Sequence, residues 1–252
     1  MTSPPDLRGQ VALVTGATSG LGRRFAVLLA EAGADVAVVG RRKERLAEIG
    51  AEIAALGRAS VELPVDLADR SAVLESVAVA QQELGLVNIL VNNAGMPDAM
   101  FATKMPADLV DAVIHTNLRA PFHLACEVAR RLIAAKQAGR IVNVSSMSSF
   151  YYEGEGAALY SITKAALNRM TETLAVEWAK FGINVNGIAP GAFDTEMMQG
   201  MVERLGDMSQ RYPRRRMGVP SQLDSTLLYL VDPLSEFVTG TVIKVDDGQQ
   251  PR

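Results

Sequence analysis

Tyr160 and Lys164 stand four residues apart in the stretch Leu159-Tyr-Ser-Ile-Thr-Lys-Ala-Ala-Leu167. On a helix, positions i and i+4 share a face, so this spacing holds a phenol and an ammonium within reach of each other. A neighbouring positive charge favours tyrosinate and is expected to lower the phenol pKa from about 10 toward neutrality, the change a tyrosine needs to exchange protons with a substrate. Tyr160 is therefore a candidate general acid or base. The same spacing occurs on ordinary solvated helices, so the rest of the chain has to decide between the two readings.

A second chemical group lies near the start of the chain. Thr15-Gly16-Ala-Thr-Ser19-Gly20-Leu21-Gly22 follows the apolar run Val11-Ala-Leu-Val14 and precedes the helix-forming Arg-Arg-Phe-Ala-Val-Leu-Leu-Ala. Glycines let a backbone turn tightly and approach a pyrophosphate closely, and the free N–H groups of a helix start attract the anion. The next strand-like run ends in Gly40-Arg41-Arg42-Lys43, with no carboxylate to bind the 2′-hydroxyl of NAD. Arg41 and Arg42 instead suit a 2′-phosphate, which an arginine can bind bidentately. The expected cofactor is NADP(H), with NAD(H) as the possible alternative.

These groups need a scaffold, and the chain alternates short β-branched runs with longer helix-period segments. Strand-like runs fall near 11–15, 35–39, 60–64, 88–91, 140–145, 183–189 and 241–245, and helical patterns near 21–32, 42–56, 69–84, 106–136, 158–181 and 221–231. That order predicts an α/β fold: one domain over 1–252, a Rossmann-like doubly wound parallel sheet of about seven strands with helices on both faces. Pro121 interrupts the 106–136 pattern, because proline has no N–H to offer the carbonyl of Asn117. A kink there is expected, with that carbonyl left free.

Composition excludes several function classes. Hydrophobic residues make up 48% of 252 residues, enough for a core, and the net charge of −3 gives no basic footprint for nucleic acid. No apolar run reaches the roughly 18 to 20 residues that span a bilayer. The chain has one cysteine, Cys126, which rules out an intrachain disulfide and fits a reducing, cytoplasmic setting. With only His115 and His123 beside it, no metal site is expected.

Taken together, these residues resemble the classical short-chain dehydrogenase/reductase family over nearly the whole chain. The glycine loop looks like its cofactor motif, Asp66-Leu67 like its adenine-contacting pair, and Asn92-Asn93-Ala94-Gly95 like its Asn-Asn-Ala-Gly motif. Asn186-Gly-Ile-Ala-Pro190-Gly191 with Thr195 looks like the segment that closes over the nicotinamide, and Val245-Asp246-Asp-Gly248 like the family ending. The resemblance assigns Asn117, Ser146, Tyr160 and Lys164 to the catalytic tetrad. Ser146 precedes Tyr160 by 14 residues, one more than the commonest family spacing, so Ser145 and Ser148 stand as alternatives. The family mechanism implies a proton from Tyr160, a hydrogen bond from Ser146 to the carbonyl oxygen, and Lys164 on both the nicotinamide ribose and Tyr160. The free Asn117 carbonyl would position a water that passes protons to Lys164.

The segment 192–217 is expected to cover a small carbonyl or alcohol substrate. Phe193, Met197 and Met198, with Phe150 and Tyr152 opposite, suggest an apolar pocket, while Glu153 and Glu155 are placed at its rim or in solvent. A ketone and secondary-alcohol oxidoreductase is the first reading. A 3-oxoacyl-carrier-protein reductase is the alternative, weakened by Gln137 and Phe181 where basic residues are common. A non-catalytic NADP(H) sensor or scaffold is the reading from another class. Family members pair the 106–136 and 158–181 helices, and Ala165, Ala166, Met170 and Trp178 fit such a contact, so a homotetramer, or a dimer, is expected.

Overall fold

Period-two alternation in short apolar runs sends successive side chains to opposite faces of a sheet, and here both faces are buried. A computed structural model describes residues 5–250 apart from 153 and 155, so the rim positions Glu153 and Glu155 lie outside the described residues. Seven parallel strands, β1 (Val11–Thr15), β2 (Asp35–Gly40), β3 (Ser60–Pro64), β4 (Ile89–Asn92), β5 (Gly139–Val144), β6 (Ile183–Pro190) and β7 (Val242–Val245), lie in the order 3-2-1-4-5-6-7. This is the single-domain Rossmann-like fold that the alternating pattern predicts.

Ala12 and Val14 of β1, Val36 and Val38 of β2, and Ile89 and Val91 of β4 face one core layer. It is closed by α1 (Gly20–Glu31), α2 (Lys43–Ala55) and α8 (Asp224–Val231) through Phe25, Leu29, Leu46, Ile49 and Leu227. The alternate residues Leu13, Ala37, Val39 and Leu90 face the other layer, built by α3 (Arg70–Leu84), α5 (Ala120–Ala135) and α6 (Ala158–Trp178). Met170 and Trp178 belong to this second core, 7% and 6% exposed, so they pack on the sheet and not on a neighbouring subunit. The large exposed apolar residues of α6 are Ile162 and Val176.

The region around Pro121 differs from a simple kink. Helix α4 (Ala107–Ile114) runs into one π-helical turn, His115–Arg119, and α5 begins directly after it with Pro121 in its first turn. A proline at that place loses no bond that a helix start would have made, and the wider turn absorbs the mismatch. Asn117 lies in this turn and is fully buried.

A polar seam ties the sheet to the second helical layer. The Asn92 side chain donates to Asn143 Oδ1 at 2.9 Å and to the Pro121 carbonyl at 3.4 Å. Asn143 in turn donates to Thr171 Oγ1 at 2.9 Å, and Thr171 donates to the Leu167 carbonyl. These residues are buried, so each lost partner leaves an unsatisfied group away from water. Asn143→Ala is expected to cost about 2–4 kcal/mol, read as a lower urea midpoint at unchanged slope. An unchanged midpoint would show that the seam adds nothing.

Candidate active site

The sheet changes direction of growth between β1 and β4, and in such folds ligands bind outside the carboxyl ends of the strands at that point. The loop after β1 is fastened there by the loop after β4. Thr15 Oγ1 accepts the N–H groups of Asn93 (3.0 Å) and Ala94 (3.1 Å), and Asn93 Nδ2 donates back to the Thr15 carbonyl at 2.9 Å. A Cβ at Gly22 would lie 2.3 Å from both the Gly16 carbonyl oxygen and Asn93 Nδ2, so no other residue fits this packing. Gly16 and Gly20 have φ of +66° and +53°, where a side chain is strained. Ser19, at the N-cap of α1, makes no side-chain cap bond, which leaves the first amides of this helix open to an anion.

Both arginines after β2 reach this edge, in different states. Arg42 donates to Thr18 Oγ1 and Ser19 Oγ at 2.9 Å and to Glu196 at 2.9 Å. Arg41 is exposed and makes no hydrogen bond or ion pair with the described residues. A cradle of glycines, open helix amides and two adjacent guanidiniums fits a phosphorylated dinucleotide. Asp66, exposed after β3, accepts the Ala68 N–H, and Leu67 packs on the second core layer. Sequence reading missed Thr18, Arg45 and Glu196. The last two form an ion pair across 151 positions, for which no local pattern exists.

Tyr160 and Lys164 lie on α6 facing the same edge. Ser146 stands beside Tyr160 and acts on its phenol as a polar neighbour that lowers its pKa. Ser146 Oγ accepts the Ser148 N–H at 3.1 Å. Of the competing serines, Ser145 Oγ donates to the Lys164 carbonyl, whereas Ser148 is engaged through its backbone, its carbonyl accepting from Ser161. Lys164 is 2% exposed and donates to the Val144 carbonyl at 2.7 Å. Its Nζ and Asn117 Oδ1 both flank Gly95, at 3.5 and 3.8 Å from where a Cβ there would stand. The Asn117 carboxamide is fully committed, accepting the Met96 N–H at 2.7 Å and donating to the Met96 carbonyl and Thr163. It thereby locks the loop after β4 to the π-turn and to α6.

The electrostatics differ from the simple picture of a lysine acidifying a tyrosine. Burial pushes the Tyr160 phenol above its ordinary value; its neighbour Ser146 pulls it down and the charge of Asp98 pushes it up again. Lys164 Nζ sits 5.6 Å from the ring centroid with a proton given to Val144, and burial lowers its own pKa to about 8.

Beyond this cluster, Pro190 ends β6, and a Cβ on Gly191 would meet Gln249 Oε1 at 2.3 Å. Thr195 caps α7 (Glu196–Leu205) by accepting from Met198, and its methyl would be 3.2 Å from a Cβ on Gly20. Helix α7 buries none of its residues. The segment is pinned at its base, where Asp194 and Ala192 bond Gly218. Of the residues expected to form an apolar pocket, Phe193 lies in the core. Phe193 is 6% exposed in the first core layer, stacked where Gly218 has no side chain, because the pinned base turns it inward. The Phe150 ring lies 4.2 Å from Lys244 Nζ, and the Tyr152 hydroxyl accepts the Ala157 N–H. Met197 is exposed and Met198 partly so. Among the described residues no cluster of histidine, cysteine or carboxylates could hold a metal, and no helix is long and apolar enough to cross a membrane.

Comparison with known proteins bears on this geometry. The short chain dehydrogenase family model matches residues 10–206. The chain is 37% identical over 246 residues to the 2-dehydro-3-deoxy-D-gluconate 5-dehydrogenase of Dickeya dadantii, covering 96% of each. It is 35% identical to the 3-oxoacyl-[acyl-carrier-protein] reductase of Thermotoga maritima, covering 96% of this chain and 98% of the relative. Among solved structures, a short chain dehydrogenase from Burkholderia cenocepacia in complex with NADP superposes with a TM-score of 0.90 at 33% identity, covering 97% of this chain and 99% of the other.

The buried lysine has a measurable signature. In the unfolded chain it holds its proton up to about 10.5, whereas the folded one releases it near 8, so folding between those values is accompanied by proton loss. The penalty of burying the charge is fully present below about 8 and is relieved as pH rises. The stability of the wild type relative to Lys164→Met should therefore grow across this window by up to about 1.4 kcal/mol per pH unit in denaturant titrations. A difference that stays constant would contradict the burial.

Proposed function

The chain belongs to the short-chain dehydrogenase family, and on that premise we propose that it interconverts a ketone and a secondary alcohol with NADP(H), Tyr160 serving as general acid or base. That it is an oxidoreductase acting on CH–OH or C=O follows from the family. The observation that carries the finer reading is a buried Lys164, bonded to the Val144 carbonyl at the end of β5, with its Nζ 5.6 Å from the Tyr160 ring centroid at the strand edge next to the glycine loop.

When bound, the nicotinamide supplies or accepts the hydride. The protein's part is orientation and proton supply. In reduction the Tyr160 hydroxyl gives its proton to the carbonyl oxygen, while Ser146 donates a hydrogen bond to the same atom and holds the charge that develops there. Lys164 keeps a positive charge near the phenol, 5.6 Å from its ring centroid, and would hold the ribose hydroxyls of the bound nucleotide. Asn117, through Met96 and Thr163, keeps the two walls of this site in register.

Thr15, Gly16, Ser19, Gly20, Leu21 and Gly22 would hold the pyrophosphate, Arg41 and Arg42 the 2′-phosphate, and Asp66 with Leu67 the adenine. Asn93, Ala94 and Gly95 would lie along the nicotinamide side, with Pro190, Gly191 and Thr195 covering it. The preference for NADP(H) over NAD(H) rests on the two arginines and the missing carboxylate after β2.

The segment 192–217 serves as the substrate lid in this reading, with Met197 and Met198 of α7 as its adaptable apolar contacts. A 3-oxoacyl-carrier-protein substrate is the second reading, favoured by exposed Lys136 and Lys180, which stand beside Gln137 and Phe181. Exposed Phe122, Ile162 and Val176 on α5 and α6 support a homotetramer paired through these helices, working in the cytoplasm.

NADPH oxidation over a panel of ketones and acyl thioesters tests the reading. Tyr160→Phe should keep the fold and NADPH affinity and lose nearly all turnover; undiminished turnover would sink the mechanism. Arg42→Ala should weaken NADPH binding about tenfold or more and NADH binding far less, as judged by nucleotide fluorescence titration. Equal losses for both nucleotides would place the 2′-phosphate elsewhere.

A further inference from the structure

The first turn of α6, which carries Tyr160, is held from outside the helix. Its N-cap residue is Ala157, which has no side chain able to accept the open amides. Oδ2 of Asp98, from the segment after β4, takes that place by accepting the N–H of Leu159 at 2.9 Å and of Tyr160 at 3.1 Å. Asp98 is 4% exposed, and its Oδ1 is buried without a donor among the described residues. No described cation pairs with it, so its charge rests on the helix amides alone.

Several charged groups lie on the elements packed against α6. Lys164, on α6 itself, is turned to the Val144 carbonyl. His115 and Arg119 of the π-turn bond each other at 2.8 Å, and Arg140 of β5 bonds the Gly139 carbonyl. Asp108 and Asp111 belong to α4, and Lys180 to the turn after α6. Of the charges around Tyr160, the carboxylate of Asp98 opposes ionisation of the phenol, while the Lys164 ammonium lies 5.6 Å from its ring centroid.

We infer that Asp98 is a positioning residue for proton transfer: its buried carboxylate anchors the first turn of α6 through the Leu159 and Tyr160 N–H groups, and so governs how the Tyr160 hydroxyl is held for carbonyl reduction. The inference rests on the reading of Tyr160 as acid or base. It goes further by assigning a residue that holds Tyr160 in place and whose carboxylate opposes its ionisation.

Two variants separate the anchor from the charge. Asp98→Asn keeps an oxygen acceptor for the two amides and removes the charge, whereas Asp98→Ala removes both. Tyrosinate formation, followed by ultraviolet difference titration of the cofactor-free protein, needs no substrate. Subtracting the same curve measured in a Tyr160→Phe background isolates Tyr160 from the other tyrosines. The Tyr160 midpoint should fall by about one pH unit in Asp98→Asn. Turnover of a ketone that the wild type reduces should drop about tenfold or more in Asp98→Ala and be largely rescued in Asp98→Asn.

A Tyr160 midpoint unmoved in Asp98→Asn would overturn the inference, and so would wild-type turnover in Asp98→Ala. If Asp98→Ala does not fold, the titration of Asp98→Asn decides by itself. A lowered midpoint in a protein that reduces no ketone would fault the proposed function and leave the role of Asp98 standing.

Discussion

A lysine taken almost wholly out of water is costly unless its surroundings compensate, and the burial of Lys164 is the constraint on which the site depends. One ammonium proton goes to the Val144 carbonyl, at the last residue of β5, so the sheet edge itself carries part of the cost. That contact requires α6 to lie close against the strand ends. Core residues Leu167, Leu174 and Trp178 hold it there from one side, and Asn143 and Thr171 from within. The ammonium also lies beside Gly95 and the Asn117 amide, so three chain segments converge on a single charge.

The same edge makes the nucleotide cradle. Parallel strands present their carboxyl ends together, and reversal of strand order between β1 and β4 opens a crevice there. Thr15 and Asn93 staple the two loops across this crevice, so the glycine loop is held in shape before any ligand arrives. Arg42 and Arg45 share Glu196 at the start of α7, which ties the proposed lid to the start of α2. That tie joins exposed ends of long side chains and is weak, while α7 itself buries nothing; the two features together suit the proposed lid.

Much of this was legible in the sequence because the signals are local. Period-two runs alternating with helical segments forecast seven parallel strands, and the Tyr160–Lys164 spacing and the glycine loop forecast what stands at their ends. What escaped reading depends on contacts between distant positions. Phe193 looked like a pocket residue by type, yet the bonds from Ala192 and Asp194 to Gly218 turn it into the core. Met170 and Trp178 were read as subunit contacts, but their helix phase faces the sheet. Pro121 forecast an irregularity without saying that a π-turn would absorb it. The phenol pKa was expected to fall because spacing shows a charge four residues away, but neither the burial of the pair nor the carboxylate of Asp98.

The central claim is that the fold holds Lys164 at the margin of its charge, ready to respond to whatever binds beside it. Nuclear magnetic resonance titration of the side-chain amine in cofactor-free protein labelled at lysine, with the signal assigned by its loss in Lys164→Met, measures this directly. The account predicts a midpoint near 8; a midpoint at the ordinary 10.5 would mean that the ammonium is solvated and that the site is not built as described.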